Sequence, residues 1–259
     1  MRAVITLTTD FGLDDPFVGI MKGVILNLLP TVQVIDITHA IEPQNIQQTA
    51  LVLESAHRYF PKNTVHLVVV DPGVGSDRRP IAVKTKSAIF VGPDNGVLTS
   101  AIDSASKVYE LTESSYFLKS PSSTFHGRDV FAPATAWIAK GTALSEMGKE
   151  ISDPQILNFP QPTVHENTIT GEIVYIDRFG NLISNVPEKL LRALKMESLT
   201  LRIGRQRIQG VTSHYSQCAP GAIGSLINSW GKLEIFCRDG NAAKKLKCHV
   251  GTSLTIKKN

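Results

Sequence analysis

Three polar clusters in this chain contain the residue types that enzymes use for catalysis and for binding polar ligands. The clusters are TTDFG at 8–12, DPGVGSDRR at 71–79 and FHGRD at 125–129. The first two follow apolar runs typical of buried strands, AVITL at 3–7 and VHLVVV at 65–70. Ligands of open α/β sheets bind beyond the carboxyl ends of strands, so we expect Asp10 and Asp71 to face one crevice. His126 adds a side chain that ordinarily titrates near neutral pH, which favours a site for chemistry.

Asp10 and the two acids that follow it have different predicted roles. A carboxylate at a strand end can accept hydrogen bonds from the two hydroxyls of a ribose, and we expect this of Asp10. Asp14 and Asp15 precede a predicted helix, where an acid can cap unpaired N–H groups. Capping therefore competes with substrate binding as the role of Asp15, which we include among the candidate substrate contacts.

The loop at 71–79 can be a simple turn or part of a site. Its proline and glycines favour a tight turn without any chemistry. The same loop, however, brings Arg78 close to Asp71 at the strand end, and we expect both to be functional. Arg79 is expected to form an ordinary ion pair. The loop lacks the GK[ST] sequence of a P-loop, so a phosphate site of that kind is not predicted.

His126 is the one histidine of the chain that lies in surroundings suited to catalysis. A lone histidine is more often structural, and its neighbours Arg128 and Asp129 are expected to pair or to cap a helix. A metal site formed by Asp10, Asp71 and His126 is an alternative, although nothing in their spacing requires one. We expect neither a metal nor a cofactor.

The second half of the chain has two further candidate segments. In YIDRFGNLISN, Asp177, Phe179 and Asn181 either form a β-hairpin turn or offer a carboxylate, an aromatic face and an amide to a planar heterocycle. Ser229 in LINSWGKLEI has the same ambiguity. The chain has no Gx[ST]xG elbow and no GxGxxG, which weakens the case for hydrolases with a nucleophile elbow and for dinucleotide enzymes.

The elements that position these clusters change in character along the chain. Up to residue 150, strands alternate with helices predicted over 16–28, 43–59 and 130–141, which indicates an α/β domain with a mostly parallel sheet. Residues 151–170 contain three prolines and no periodicity, and are interpreted as a linker. Short alternating runs with glycines follow, which predict a small antiparallel β-barrel-like domain over 171–259.

Composition excludes several classes of protein. The 42% hydrophobic and 19% charged residues are ordinary for a soluble globular chain, and no apolar run is long enough to span a membrane. Three cysteines without a CxxC pair, and no secretory signal, favour the cytoplasm. Residues 151–259 carry 14 basic and 8 acidic side chains, but these are dispersed, so we expect no nucleic-acid partner.

The ordered segments resemble the S-adenosyl-L-methionine hydroxide adenosyltransferases, the relatives of fluorinase and chlorinase. The resemblance extends almost from end to end, through TTDFG, DPGVGSDRR, GPDNG, FHGRDVFAP, IDRFGN and NSWG. It implies an α/β domain and a small β domain, a homotrimer, and a small-molecule substrate bound between the N-terminal domain of one subunit and the C-terminal domain of the next.

The resemblance also implies a role for each candidate residue. The family's catalytic triad corresponds to Asp71, Arg78 and His126. Its substrate contacts correspond to Asp10 for the ribose, Asp177 for the methionine ammonium, Phe179 for stacking on adenine, Asn181 for the adenine edge, and Ser229. This chain departs from the halogenases at two places. They have Tyr at the position of Asp71, and they have a long insertion where this chain runs directly through KTKSAIF. Trp230 replaces an arginine of fluorinase.

The activity implied is hydrolysis of S-adenosyl-L-methionine to adenosine and L-methionine by attack of an activated water or hydroxide at C5′. Three alternatives remain open from the sequence. They are a halide-using, chlorinase-like transferase, a non-catalytic protein that binds S-adenosyl-L-methionine or adenosine, and a metal-dependent phosphohydrolase.

Overall fold

The computed structural model describes residues 2–194 and 198–258, which form two compact units, Met1–Asn158 and Phe159–Asn259. The first unit contains seven strands and four α-helices among its described residues. The strands are β1 (Val4–Thr9), β2 (Gln33–Thr38), β3 (Thr64–Val69), β4 (Pro80–Lys84), β5 (Ala88–Pro93), β6 (Lys107–Glu110) and β7 (Glu150–Ile151). The helices are α1 (Phe17–Leu28), α2 (Ile46–Ala56), α3 (Ala132–Lys140) and α4 (Leu144–Met147).

The seven strands form one sheet in the order β2-β1-β3-β5-β4-β6-β7. Strands β2, β1, β3 and β5 pair in parallel, whereas β4 runs antiparallel to both β5 and β6. In the register between β1 and β3, Thr9 lies opposite Val69, so the two strands end at the same level. The loops that follow them therefore start side by side, and the predicted α/β fold with a mostly parallel sheet is confirmed.

Helices cover the sheet because each buries one apolar stripe. Helix α1 buries Val18, Met21 and Ile25 in the core that also contains most of α3. Helix α3 ends at Gly141, whose φ of 114° lies in the left-handed region that glycine adopts without strain. None of the helices in the described part of the chain is long and apolar enough to cross a bilayer.

The second unit is a strongly curved antiparallel sheet that is nearly closed into a barrel. Its strands are β8 (Thr163–His165), β9 (Thr168–Ile176), β10 (Leu182–Pro187), β11 (Leu199–Ile203), β12 (Gln206–Gln209), β13 (Ile223–Ile227), β14 (Lys232–Cys237) and β15 (Ser253–Lys258), with helices α5 (Glu188–Ala193) and α6 (Ala242–Leu246). The strand order is β12-β11-β15-β9-β10-β14-β13, and the two end strands contact each other. The predicted barrel-like domain is confirmed.

The segment predicted as a linker is partly a hairpin. Residues 152–162 contain neither helix nor strand, but β8 pairs with the beginning of β9 within 163–170. All three residues of β8 are exposed, so this edge strand has no buried face and no hydrophobic alternation by which sequence could reveal it.

His66 is a fully buried histidine in the middle of β3, away from the polar clusters. Its Nδ1 lies 2.7 Å from Thr6 Oγ1 and its ring stacks on Phe90 at a centroid distance of 4.8 Å. Its Nε2 is buried and has no hydrogen-bond partner in the described residues. Burial, assisted by the nearby charge of His57, lowers the pKa of His66 to about 4, so the ring is neutral in the folded protein.

We expect His66 to make the protein sensitive to acid. Its pKa is lower in the folded than in the unfolded chain, so stability falls as pH drops below about 6.5, by about 2 kcal/mol between pH 8 and pH 5. In urea unfolding at pH 8 and pH 5, His66→Phe should lose about 2 kcal/mol less stability between the two pH values than the parent protein does. The exposed His165→Gln should behave as the parent protein, and an equal loss in His66→Phe would contradict the assignment.

Candidate active site

A cavity of about 690 Å³ lies beyond the carboxyl ends of β1 and β3. Asp10 follows β1 directly, and Asp71 lies two residues after the end of β3, so the parallel register places both carboxylates in one crevice. The cavity is lined by Asp10, Phe11, Phe17, Pro43, Gln44, Val69, Asp71, Pro72, Val74, Ser122, Thr124, Phe125, His126, Gly127 and Arg128. Two of the three predicted catalytic residues therefore face the same space as the predicted ribose-binding residue.

Arg78 connects the other two members of the predicted triad. Its Nε lies 2.9 and 3.0 Å from the two carboxylate oxygens of Asp71, and its Nη2 also donates to Asp71 Oδ2. The same Nη2 lies 2.7 Å from His126 Nδ1. The side chains of Arg78 and Asp71 are only 8% and 6% exposed, so solvent and salt screen this ion pair less than a surface pair.

The contact with Arg78 fixes the tautomer of His126. A guanidinium can only donate hydrogen bonds, so Nδ1 must accept, and a neutral ring then carries its proton on Nε2. Burial and then the charge of Arg78 hold the pKa of His126 below its usual 6.5, against the opposing effects of Asp71 and Asp129. At neutral pH, His126 is therefore a neutral ring with Nε2–H available as a donor.

The guanidinium of Arg78 lies behind the cavity wall and is not among the residues that line the cavity. It stacks over the ring of Phe131, with Cζ 5.1 Å from the ring centroid, and its Nη1 is buried without a hydrogen-bond partner in the described part of the chain. Asp71 Oδ1 accepts one hydrogen bond from Arg78, and a carboxylate oxygen can accept two. Asp71 therefore keeps acceptor capacity for a ligand or a water molecule.

Asp10 and Asp15 differ in their surroundings. Asp10 lines the cavity, where its Oδ2 accepts a hydrogen bond of 2.8 Å from the backbone N–H of Gln44. Asp15 is exposed and is not among the lining residues. The predicted capping by Asp14 or Asp15 is wrong, because Pro16 occupies the N-cap position of α1 and, among the described residues, no side-chain cap hydrogen bond forms there.

Three phenylalanines that the sequence did not indicate form the apolar wall of the cavity. Phe11, Phe17 and Phe125 contact each other edge to face, with ring centroids 5.3 to 6.0 Å apart. Two of them flank predicted site residues, since Phe11 follows Asp10 and Phe125 precedes His126. An aromatic residue next to a polar candidate residue could therefore have indicated the apolar wall from the sequence.

Arg79, Arg128 and Asp129 of these clusters form ion pairs, as expected. Arg79 binds Asp94 through Nε and Nη2 and binds Asp153 through Nη1, at distances of 2.6 to 2.9 Å. Arg128 donates to the adjacent Asp129 at 2.6 and 2.9 Å. In residues 2–194 and 198–258, no group of three or more His, Cys, Asp or Glu side chains is arranged to hold a metal ion.

Three candidate residues of the second unit, Asp177, Phe179 and Asn181, lie in the loop between β9 and β10, whereas Ser229 lies between β13 and β14. Asp177 Oδ1 accepts from the backbone N–H groups of Phe179 and Asn181 at 2.9 and 2.8 Å, and its Oδ2 accepts from Asn181 Nδ2 at 3.0 Å. Asp177 thus has the structural role of a turn former. The loop it shapes exposes 74% of Phe179 and buries Asn181.

A second cavity, of about 380 Å³, lies within this unit and brings Asp177 and Ser229 together. It also contains Glu234, which sequence analysis did not single out because its neighbours in β14, Leu233 and Ile235, are apolar. Glu234 is buried and accepts a 2.8 Å hydrogen bond from the hydroxyl of Tyr215. Burial raises the pKa of Glu234, and the nearby charge of Asp177 adds to the increase.

Gly180 allows the loop to approach helix α6. It has a φ of 84°, its carbonyl accepts from Ala243 N at 2.9 Å, and a Cβ at this position would overlap the carboxamide of Asn241. Asn241 cannot move freely because its Oδ1 accepts from Lys244 N at 2.7 Å and caps α6.

We therefore expect Gly180→Ala to lower the free energy of unfolding by about 3 kcal/mol through steric overlap and backbone strain. Gly204→Ala is the matched control, because Gly204 also has a positive φ but open space around it. It should cost only about 1 kcal/mol. Equal losses for the two variants in urea unfolding would contradict the role of Asn241.

Similar proteins identify the family of the chain. The family model for the SAM hydroxide adenosyltransferase N-terminal domain matches residues 5–148, and that for the C-terminal domain matches residues 171–255. An (R)-S-adenosyl-L-methionine hydrolase of Salinispora tropica is 37% identical, over 97% of this chain and 97% of its own length. A fluorinase of an Actinoplanes species is 29% identical, over 71% of each chain.

A solved structure of a protein from Thermotoga maritima has the same fold. It has a TM-score of 0.92 and 36% identity, over 98% of this chain and 100% of that one. Both units match the family in the order in which they occur here, with the polar clusters at 8–12, 71–79 and 125–129 inside the first match. The chain belongs to the SAM hydroxide adenosyltransferase family.

Proposed function

We propose that the protein hydrolyses S-adenosyl-L-methionine to adenosine and L-methionine by attack of a water-derived oxygen at C5′. The observation that carries this proposal is the Asp71–Arg78–His126 arrangement at the edge of a cavity that also contains Asp10. These groups suit a reaction in which the nucleophile, rather than the leaving group, needs assistance.

The chemistry of the substrate explains that requirement. The sulfonium leaves C5′ as a neutral thioether, so no general acid is needed. Water is a poor nucleophile, with a pKa near 15.7, and must be oriented and deprotonated or held as hydroxide. In-line positioning alone can supply several kcal/mol of rate acceleration, on the order of 7 for a well-oriented pair.

Each member of the triad has a role in holding that oxygen. The Nε2–H of His126 donates a hydrogen bond to it, since Nδ1 is already engaged by Arg78. Asp71 accepts a hydrogen bond from the attacking oxygen at Oδ1, which can accept one more hydrogen bond than Arg78 gives it. The cation of Arg78, buried behind both, favours a negatively charged oxygen as the bond to C5′ forms. Asp10 binds the ribose hydroxyls and so fixes C5′ relative to the oxygen.

Water is favoured over halide by the same geometry. The carboxylate of Asp71 at the cavity wall can accept a hydrogen bond from water or hydroxide, whereas a halide has no hydrogen to donate to it. The alternative of a non-catalytic binding protein does not account for a buried cation bridging an acid and a histidine beside the ribose-binding residue.

We extend the proposal to the remaining contacts and to the assembly. Asp177, Phe179, Asn181 and Ser229 bind the methionine and adenine ends of the substrate, and the protein is a homotrimer in which neighbouring subunits complete each site. Phe179 is 74% exposed, so its ring is accessible for stacking on a ligand. Light scattering during size-exclusion chromatography measures the number of subunits.

We also propose that the reaction uses neither metal nor cofactor and takes place in the cytoplasm. The guanidinium of Arg78 contacts both Asp71 and His126 Nδ1, and it supplies the positive charge that a metal would otherwise provide. The three cysteines are free thiols, which agrees with a reducing compartment.

The test is incubation of the purified protein with S-adenosyl-L-methionine in H₂¹⁸O, with EDTA and without halide. Liquid chromatography with mass spectrometry should find L-methionine and adenosine that carries ¹⁸O at its 5′ oxygen. Unlabelled adenosine or unchanged substrate would refute the proposal. A parallel incubation with chloride should give no 5′-chloro-5′-deoxyadenosine.

A further inference from the structure

A row of contacting polar side chains connects the surface of the first unit to the end of β1, directly before Asp10. Lys22 Nζ lies 2.6 Å from Asp36 Oδ2, and Asp36 Oδ1 lies 3.1 Å from His39 Nε2. His39 Nδ1 lies 2.8 Å from Thr9 Oγ1, and Thr9 directly precedes Asp10. Burial alone would raise the pKa of Asp36, but the nearby Lys22 and His39 side chains outweigh it and lower the pKa.

His39 is the member of this row that holds the loop after β1 in place. It is 5% exposed, and Thr9 is fully buried. The His39 carbonyl accepts a hydrogen bond of 2.8 Å from Gly12 N, and Thr9 Oγ1 accepts one of 3.2 Å from Phe11 N. The residues on both sides of Asp10 are therefore fixed through His39, by its side chain before Asp10 and by its carbonyl after it.

The orientation of the Asp10 carboxylate depends on this support. Its Oδ2 is held by Gln44 N, and within the described part of the chain its Oδ1 accepts no hydrogen bond. Two vicinal hydroxyls require both oxygens at defined positions, and an error of about 1 Å weakens such a contact strongly. Neither His39 nor Asp36 lines the cavity, so any effect on a ligand passes through the loop at 10–12, which places Asp10 and Phe11 at the cavity.

We propose that His39 is a positioning residue that sets the Asp10 carboxylate for the 2′ and 3′ hydroxyls of the bound nucleoside. The inference rests on the proposed function, because it takes the ligand to be a ribonucleoside. Loss of His39 then weakens recognition of the two hydroxyls more than it weakens binding of the base.

The test compares the dissociation constants of adenosine and 2′,3′-dideoxyadenosine by calorimetry. The parent protein should prefer adenosine by at least about tenfold, the worth of one or two good hydrogen bonds. His39→Leu should lower this preference about fivefold or more, and Asp10→Ala should bring it near one. His39→Asn, which keeps a polar atom near the position of Nδ1, should restore part of it.

His57→Leu is the matched control, since His57 is a partly buried histidine that packs on Phe90 and His66. It should leave the preference for adenosine unchanged. A general loss of stability would weaken the binding of both nucleosides equally and would also leave the preference unchanged. Should His39→Leu fail to fold, Thr9→Val cuts the same connection with little change in volume and should have the same effect.

An unchanged preference in folded His39→Leu or Thr9→Val would overturn the positioning role alone, because the parent protein would still discriminate between the nucleosides. A parent protein that binds neither nucleoside would overturn the proposed function together with this inference.

Discussion

Replacement of Asp71 by asparagine is expected to reduce kcat by about 10³-fold or more, within the range for losing a positioned proton acceptor and its charge. The amide is close in size to the carboxylate, but it cannot take up a proton from water. Its N–H groups would also oppose those of Arg78, with which Asp71 makes a bidentate contact. Substrate binding should change by only a few-fold, because Asp10 and the contacts to adenine and methionine remain.

Steady-state kinetics with calorimetric binding of S-adenosyl-L-methionine separates the two effects. Asp77→Asn is the matched control, since Asp77 is an exposed acid on the same loop and should keep full activity. Removing one partner of a buried ion pair can cost about 3–5 kcal/mol of stability, so thermal unfolding must establish that Asp71→Asn is folded. A folded variant with full turnover would refute the role of Asp71.

The parts of the fold that follow from local chemistry could be predicted from the sequence. The run VHLVVV is buried along its whole length, as a central parallel strand requires, and its acidic successor faces the crevice. The convergence of Asp10 and Asp71 followed from one rule about parallel strands, because the register of β1 and β3 makes them end together. The pairing of Arg79 with an acid was also predicted from its position.

The parts that depend on distant contacts could not be predicted in this way. Asp36 lies in β2 and His39 directly follows that strand. Only the pairing of β2 with β1 brings these residues close to Thr9. Glu234 lies between Leu233 and Ile235 in β14, where nothing local distinguishes a buried acid from an exposed one. Their functions arise from neighbours that are far away in the chain.

One residue can satisfy both of the interpretations that its sequence allows. Asp177 was predicted either to form a turn or to bind substrate. In the structure it accepts three hydrogen bonds from its own loop and also lines the second cavity. A turn former that faces a cavity is preorganised for a ligand, so the two roles do not compete.

The loss of activity at acid pH is expected to follow the protonation of His126. Activity requires the neutral ring, because a proton on Nδ1 would oppose the N–H of Arg78. Burial and then the charge of Arg78 keep the pKa of His126 below 6.5. In the free enzyme kcat/KM should therefore stay constant from neutral pH down to about 6.5 and decline only below it.

Arg78→Gln should move that decline to higher pH and lower kcat by about 10²-fold or more. Without the guanidinium, the nearby charges of Asp71 and Asp129 raise the pKa of His126 and only burial opposes them. Arg79→Gln is the matched control, because Arg79 pairs with Asp94 and Asp153 and has no contact with His126. A decline at the same pH in folded Arg78→Gln as in the parent protein would mean that another group controls it.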